Sequence, residues 1–373
     1  MCFTFGSSFL VVEEGVCRIS LRAPDRDSAG LAMGKLLAMA GHPAVPFFRS
    51  PWVRALFRPA REWVHRRLRR KVRIPEEYID EVRGCAEGAG IAFADLFLAN
   101  FCYDAIPGIG FHCSTAAFFN RDSLYLLRNT DLQPWFAPTA LKYGPAVWVD
   151  QKIGNGRRVC HCSPPFYVGV IAGYNELHLV AGSHQVVRVR RGPSEVRLAT
   201  PLLLRMLLES TGSLADASAF LRTHRVPSSI NVLVASAPER DARLYELGSA
   251  EIRRLPMQGR YLCATTHFQS DHMRRYHRTL VRCSDRRLDS MHRLLRERSA
   301  LGQDEAIAIL RDDSNGRGFG VSGRSLTNRG TYQSYCVELP SERVAMANGR
   351  RIPVSMTGAY VAFSSKEPLR AHP

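Results

Sequence analysis

Gly108-Ile109-Gly110-Phe111-His112-Cys113-Ser114-Thr115 reads as a glycine-rich turn that delivers a cysteine to the first position of a strand. After a short hairpin, the returning strand ends in Arg128-Asn129-Thr130-Asp131. Pairing of the two strands therefore brings Arg128 and Asp131 back beside Cys113. A guanidinium close to a thiol favours the thiolate, its nucleophilic form. Asp131 can hold an ammonium through charge-assisted hydrogen bonds. If Cys113 became a chain terminus, that ammonium would be its own α-amino group, whose ordinary pKa of about 7.7 to 8.0 suits a base near neutrality. One residue would then supply nucleophile and base together, the logic of an N-terminal threonine nucleophile. The plainer alternatives are a small buried thiol and a surface Arg-x-x-Asp ion pair.

Two textures meet at this cysteine. Before it, the pattern predicts an opening strand over Gly15–Leu21, a helix over Ala29–Ala40, a basic stretch, and helices running on from Pro75 and over Ala94–Tyr103. After it, period-two strands are predicted at Thr115–Phe119, Leu124–Leu127, Ala146–Val149, Tyr167–Ile171 and Leu177–Ala181. Helices are expected at Pro201–Leu208 and Leu214–Leu221, then strands at Ile230–Ala235, Ala242–Leu247 and Tyr261–Thr265. Long helices from His272 to Arg298 and from Asp304 to Arg311 precede closing strands at Thr331–Val337, Arg343–Ala347 and Ala359–Phe363. Such an order points to layered sheets covered by helices, not to alternating βαβ units.

The 373 residues, 45% of them hydrophobic, allow one large domain or two moderate ones. No apolar run approaches the ~20 residues of a membrane-spanning helix. Met1–Gly15 has no basic start, and Glu13 and Glu14 come too early for a secretion signal, so a cytoplasmic protein is expected. The ten cysteines at irregular spacing fit reduced core thiols. Cys160-His161-Cys162 alternates faces on a strand and lacks a second pair at zinc-finger spacing, so no metal and no cofactor is expected.

A net charge of +17 favours anionic partners. Much of it lies between Arg49 and Arg73, where arginines interleave with Trp52, Leu56, Phe57, Trp63, Val64 and Leu68 around Pro59. Residues 49–73 thus read as an amphipathic helix, placed either on an anionic membrane surface or against the core with a solvated basic face. No ribonucleoprotein motif or helix-turn-helix is present, so specific nucleic-acid binding is not expected.

The ordered set of motifs resembles the N-terminal-nucleophile (Ntn) hydrolases of the acyl-coenzyme A:6-aminopenicillanic acid acyltransferase family, relatives of choloylglycine hydrolase and acid ceramidase. Met33-Gly34-Lys35-Leu36-Leu37 is similar to the family's early glycine helix, and Glu81 to Gly90 with Asp95 to Asn100 to its pro-segment. Cys113-Ser114-Thr115 with Arg128-Asn129-Thr130-Asp131 resembles its nucleophile and Arg-Asn-x-Asp motif. Gly173-Tyr174-Asn175-Glu176, Thr265-Thr266-His267-Phe268 and Ser284-Asp285-Arg286-Arg287 resemble its later signatures.

The resemblance implies an α+β fold, a four-layer αββα sandwich, and a precursor that cuts itself between His112 and Cys113. Residues 1–112 would be a helical pro-segment and 113–373 the catalytic domain, the two staying associated. It implies a cysteine amidohydrolase or N-acyltransferase acting on a small-molecule amide or acyl compound, with Cys113, Arg128, Asp131, Asn175, Thr266 and Arg287 as site residues. Asn175 or Ser183 would donate to the oxyanion, each such donor being worth roughly 3 to 4 kcal/mol; the alternative for Asn175 is a turn residue. Relatives carry asparagine where this chain has Thr266, whose hydroxyl offers a single donor. The alternative function is therefore a catalytically weakened binding or membrane-associated member of the same fold.

Overall fold

The computed structural model describes residues 1–69, 72–105, 112–186, 196–248, 251–277, 282–314 and 324–366. The expected glycine turn at residues 108–111 lies outside them. The chain opens on strands β1 (Cys2–Phe5), β2 (Ser8–Glu13) and β3 (Val16–Ala23). Helices α1 (Arg26–Met39), α2 (Ala44–Arg49) and α3 (Pro51–Arg69) follow, then β4 (Val72–Arg73), α4 (Glu76–Ala89) and α5 (Phe93–Ala105). Asp25 starts α1 by accepting from Ser28 N, and Gly90, left-handed at φ 60°, ends α4. Next come the hairpin β5 (His112–Phe119) and β6 (Leu124–Asp131), α6 (Ala137–Tyr143), β7 (Val147–Ile153), β8 (Val159–Ser163), β9 (Ala172–Asn175), β10 (Leu179–Gln185) and β11 (Arg197–Leu198). Helices α7 (Leu202–Ser210) and α8 (Leu214–Thr223) lead to β12 (Ile230–Ser236), β13 (Asp241–Leu247), β14 (Ile252–Pro256) and β15 (Tyr261–Ala264). The chain continues through α9 (Asp271–Arg274), α10 (Arg282–Arg296), α11 (Gln303–Leu310), β16 (Thr331–Leu339), β17 (Arg343–Asn348), α12 (Val354–Thr357) and β18 (Ala359–Ser364).

Two sheets carry the fold. One has ten strands in the order β1-β2-β3-β7-β8-β9-β10-β12-β13-β14, and the other six in the order β15-β5-β6-β16-β17-β18. All pairings in both are antiparallel except β3 with β7. Leu124, Leu126, Val337 and Val344 of the small sheet pack against Trp148, Tyr174, Val180 and Leu233 of the large one. The outer face of the large sheet is covered by α1, α4, α5, α7 and α8, through Leu36, Val82, Phe101, Leu203 and Leu221. The outer face of the small sheet is covered by α10 and α11 through Leu288, Met291 and Ile309. Helix, sheet, sheet, helix is the expected four-layer αββα order.

Since both faces of each sheet are covered, the central strands are buried almost throughout and lose the burial alternation of a half-exposed strand. Residues 1–112 contribute more strand than the single one expected: β1, β2 and β3 form one end of the large sheet, and β4 pairs with β11. Helices α1 and α4 pack backbone to backbone through Gly30, Gly34, Gly84 and Gly88. A Cβ at any of the four would fall inside the opposite helix's main chain.

Two expectations change. Tyr167–Ile171 is not a strand: Pro164-Pro165 and Phe166 at φ 62° turn the chain there, and the strand begins at Ala172. The long helix predicted from His272 divides into α9 and α10, with residues 278–281 between them outside the described set.

Candidate active site

Alternation along β5 and β6 sorts the site residues onto two sides. Cys113 pairs with Thr130 and Thr115 with Arg128, and these share the face that carries Ala117, Leu124 and Leu126 into the space between the sheets. Ser114, Asn129 and Asp131 take the other face, toward α10 and α11, as do Ala116 and Leu127. Asp131 therefore stands opposite His112, one step along the ladder from Cys113.

Arg128 is wholly buried. Its Nη1 donates to Thr115 Oγ1 at 2.7 Å and to the Ser183 carbonyl at 3.0 Å, and its Nε to Thr130 Oγ1 at 3.2 Å. Its Nη2 has no hydrogen-bond partner, and no carboxylate among the described residues pairs with it. His184 Nε2 lies 2.8 Å from Thr115 Oγ1 and 3.3 Å from Arg128 Nη1. Burial, and then the Arg128 charge, hold His184 well below the usual histidine range, so it is neutral. The large sheet comes in directly above: a Cβ at Gly182 would sit 3.6 Å from Thr115 Cγ2 and 3.7 Å from Arg128 Nη1.

On the helix side, Asp131 accepts from Asn328 Nδ2 at 2.9 Å and from Thr331 Oγ1 at 2.8 Å. Burial lifts its carboxyl to about 6, against the pull of Arg287, of those two hydrogen bonds and of Arg128. Asn129 is spent on structure: Nδ2 donates to the Leu310 and Leu326 carbonyls, and Oδ1 accepts from Ser334.

β15 runs antiparallel to β5 with Ala264 opposite Thr115. β15 ends there, and Thr266 follows two residues later. Thr266 Oγ1 donates to Ser284 Oγ at 3.1 Å and accepts from Arg287 Nη2 at 3.1 Å, so α10 delivers Arg287 to the same place. Asn231 of β12 fixes this segment, its Nδ2 donating to the Thr265 and His267 carbonyls at 3.0 and 2.6 Å. His267 Nε2 lies 3.0 Å from Asp285 Oδ1; burial outweighs that carboxylate and takes the ring down to about 4.

The Cys113 thiol is fully buried in the uncut chain. Burial pushes its pKa up and the Asp131 carboxylate adds to this, while Arg128, Arg287 and the Asp131 backbone amide favour the thiolate. Tyr103 at the end of α5 shares the neighbourhood: burial, then Asp104, Tyr167 and Cys113, drive its phenol well up against Arg128.

Of the expected residues, the structure gathers Cys113, Arg128, Asp131, Thr266 and Arg287. It does not bring Asn175 to them. Asn175 ends β9, four residues along the hairpin from the Ser183 carbonyl that meets Arg128, or about 13 Å at ~3.3 Å per residue. Its four hydrogen bonds, to the Leu208 and Thr211 carbonyls and from Leu177 N and Leu179 N, tie the turn to α7. The Ser183 hydroxyl is likewise committed, to the Ile171 carbonyl at 3.1 Å. Sequence reasoning missed Thr115, His184, Asn231, Asn328 and Thr331. None carries a local signal, and Thr331 reaches Asp131 only because β16 pairs with β6. Cys160 and Cys162 face the space between the sheets, and His161, between them, is a buried histidine held down to about 3 by burial and Arg205. Among the described residues no three His, Cys, Asp or Glu side chains are grouped to hold a metal ion.

Residues 119–322 match the family described as acyl-coenzyme A:6-aminopenicillanic acid acyl-transferase, a span that holds Arg128, Asp131, Asn175, Thr266 and Arg287 and starts past Cys113. Similar solved structures include an N-acylethanolamine-hydrolyzing acid amidase ortholog of Caenorhabditis elegans, 14% identical, over 62% of this chain and 95% of that one, with a TM-score of 0.43. A variant of the conjugated bile acid hydrolase of Clostridium perfringens is 12% identical over 70% of this chain and 95% of that one, at 0.45. Penicillin V acylase of Agrobacterium tumefaciens is 11% identical over 68% and 86%, at 0.38. No curated protein matches the sequence.

Proposed function

The chain belongs to the acyl-coenzyme A:6-aminopenicillanic acid acyl-transferase family, an enzyme of amide hydrolysis or acyl transfer, and from that premise we propose that Cys113 is its nucleophile, exposed by self-cleavage after His112. The observation that carries this reading is Arg128, a buried guanidinium on the thiol's own strand face with one nitrogen unpartnered and no direct ion pair among the described residues. A buried cation with no carboxylate in direct contact is costly, and a Cys113 thiolate would place a negative charge on its own side of the strand.

In the precursor, Cys113 Sγ attacks the His112 carbonyl carbon. The carbon–sulfur bond forms as the peptide carbon–nitrogen bond breaks, and the thiol proton passes to the departing amine. Water then hydrolyses this thioester, which releases the His112 carboxyl and the Cys113 thiol beside the α-amino group already freed. In the mature enzyme that amine takes the thiol proton, and the thiolate attacks the carbonyl of a small-molecule amide. The amine returns the proton to the leaving nitrogen, and the acyl thioester passes to water or to an amine acceptor. Asp131, already held by Asn328 and Thr331, lies one ladder step away to orient the new ammonium. Residues 1–112 and 113–373 would remain together as two chains.

Alkylation tests the assignment. Iodoacetamide followed by peptide mapping should modify Cys113 in step with loss of amide cleavage, while the buried thiols of Cys160 and Cys263 stay unmodified. Full activity with Cys113 alkylated would sink it.

A second reading, a catalytically weakened binding or membrane-associated member, is favoured by Thr266, whose one hydroxyl hydrogen goes to Ser284. On the leading reading, Thr266→Asn supplies a donor for the oxyanion and should raise kcat on a chromogenic N-acyl anilide by about tenfold, well under the full value of such a donor. A fall in kcat would instead show that the hydroxyl between Ser284 and Arg287 is needed as it stands.

A further inference from the structure

The basic helix packs against the core by one face, and its apolar residues form two stripes. Val64 and Leu68 are buried, with Phe57 and Ala60 packed against the core beside them. That face is fastened to α5 by Arg61, whose Nε lies 2.7 Å from Asp95 Oδ1. A second stripe points the other way. Trp52, Leu56, Pro59 and Trp63 follow the i, i+4, i+7, i+11 spacing of one helix face, and all are exposed. Trp52 is 86% exposed, Leu56 75% and Trp63 42%. Pro59 falls on this outer stripe, where its ring adds to the apolar surface.

Cations rim the stripe. Arg58 and Arg66 are exposed along it, and the Arg67 guanidinium lies over the Trp63 ring at 5.1 Å. Between Pro51 and Arg69 there are six arginines and a single glutamate, in a chain of net charge +17. Two tryptophans and a leucine on an exposed face flanked by guanidinium groups match a headgroup boundary: indole at the interface, leucine in the acyl region, arginine on lipid phosphate and carboxylate. No helix among the described residues is long and apolar enough to cross a membrane, so contact of this kind would be in the plane of the surface.

We propose that α3 docks the protein on anionic lipid bilayers, with Trp52, Leu56 and Trp63 entering the headgroup region and Arg58, Arg66 and Arg67 meeting the negative surface. This surface is separate from the cysteine site and stands whether or not Cys113 is the nucleophile.

The test is co-sedimentation of the full chain with vesicles of phosphatidylcholine and phosphatidylserine in equal parts, and with phosphatidylcholine alone. Binding is expected to the mixed vesicles, with a blue shift of tryptophan emission and loss of binding as salt is raised. Substituting Trp52→Ser, Leu56→Ser and Trp63→Ser together should reduce binding about tenfold or more while leaving the melting temperature unchanged, since all three side chains are solvent-facing. Arg58→Gln with Arg66→Gln keeps the apolar stripe and should remove the preference for anionic over neutral vesicles. Equal binding by the triple variant, or wild-type protein that ignores anionic vesicles, overturns the proposal. So does vesicle-free dimerisation that the triple variant abolishes, which would assign the stripe to a second copy of this chain.

Discussion

Purified wild-type protein should separate on denaturing electrophoresis into two fragments that meet at His112 and Cys113, and a Cys113→Ala variant should remain one chain. Both fragments should co-elute under native conditions. The cut should proceed as a first-order process whose rate does not depend on protein concentration, since nucleophile and scissile carbonyl belong to the same peptide unit. Amide cleavage by Cys113→Ala should fall by about 10⁴-fold or more, the scale of losing the covalent step. The uncut chain also explains why the thiol is restrained at first. With Cys113 buried, desolvation outweighs the two arginines and holds the proton on sulfur. On the proposed cut, a freed amine would add a base beside it. A wild-type chain that stays whole with an unreactive Cys113, or a Cys113→Ala chain cut at the same bond, would end this reading.

Replacing Arg205 by methionine should destabilise the protein by about 3 to 5 kcal/mol, read as a lowered urea midpoint, because it leaves the Glu81 and Glu209 carboxylates sharing the single cation of Arg26. Arg205 is 1% exposed; its Nη2 lies 3.3 Å from both oxygens of Glu81, its Nη1 donates to the Val168 carbonyl at 2.9 Å, and its Nε donates to Glu209. Arg26 joins Glu81 at 3.2 Å and Glu209 at 2.6 Å and lies over the Tyr78 ring, and Tyr78 donates to Glu209 at 2.9 Å. Arg26, Tyr78 and Glu81 precede the proposed cut, whereas Val168, Arg205 and Glu209 follow it. The cluster is thus a buried tie between the two fragments, and in cleaved protein the same substitution should let them separate at lower urea.

The pH dependence has a definite sign. Burial works to raise Glu209, but Arg205 and Arg26 bring it down to about 2. A carboxylate depressed in the folded state contributes stability above its unfolded pKa of about 4.3, and that contribution is lost as pH falls toward 2. Without Arg205 part of the depression goes while Arg26 keeps the rest, so the gap between variant and wild type should be widest near pH 7 and shrink on acidification. A gap that does not change with pH would assign the loss to packing. Adding Glu81→Gln to the variant should recover part of the stability.

The site was legible in the sequence wherever its residues are neighbours along the chain or across one tight hairpin. Cys113, Arg128 and Asp131 meet through the β5–β6 register, which a tight four-residue turn, Asn120-Arg121-Asp122-Ser123, makes readable. Thr266 and Arg287 required the family resemblance, because their approach depends on β15 lying beside β5 and on α10 crossing the small sheet. Asn175 shows the limit. Its chemistry suits an oxyanion donor or a turn, and only its four partners decide for the turn. The supporting layer of His184, Asn231 and Asn328 was invisible, since each is a single polar residue whose partner lies across a sheet. In the first 112 residues the helices were readable from their period. β1 and β2 were not, because their half-buried alternation is short and ends at exposed turns.

The parallel pairing of β3 with β7 sets an order of events in the making of the protein. β3 is synthesised long before its partner, and Cys17 must wait for Val147. Until then β2 covers one side of β3 and the other is an unpaired edge whose Val16, Ile19 and Leu21 are bound for the core, a template for association with other nascent chains. A single uncut chain keeps both halves of the large sheet at a high effective concentration while this edge is closed. Halves produced from two separate genes should therefore aggregate or assemble poorly, whereas a chain cut after docking should keep its sheet.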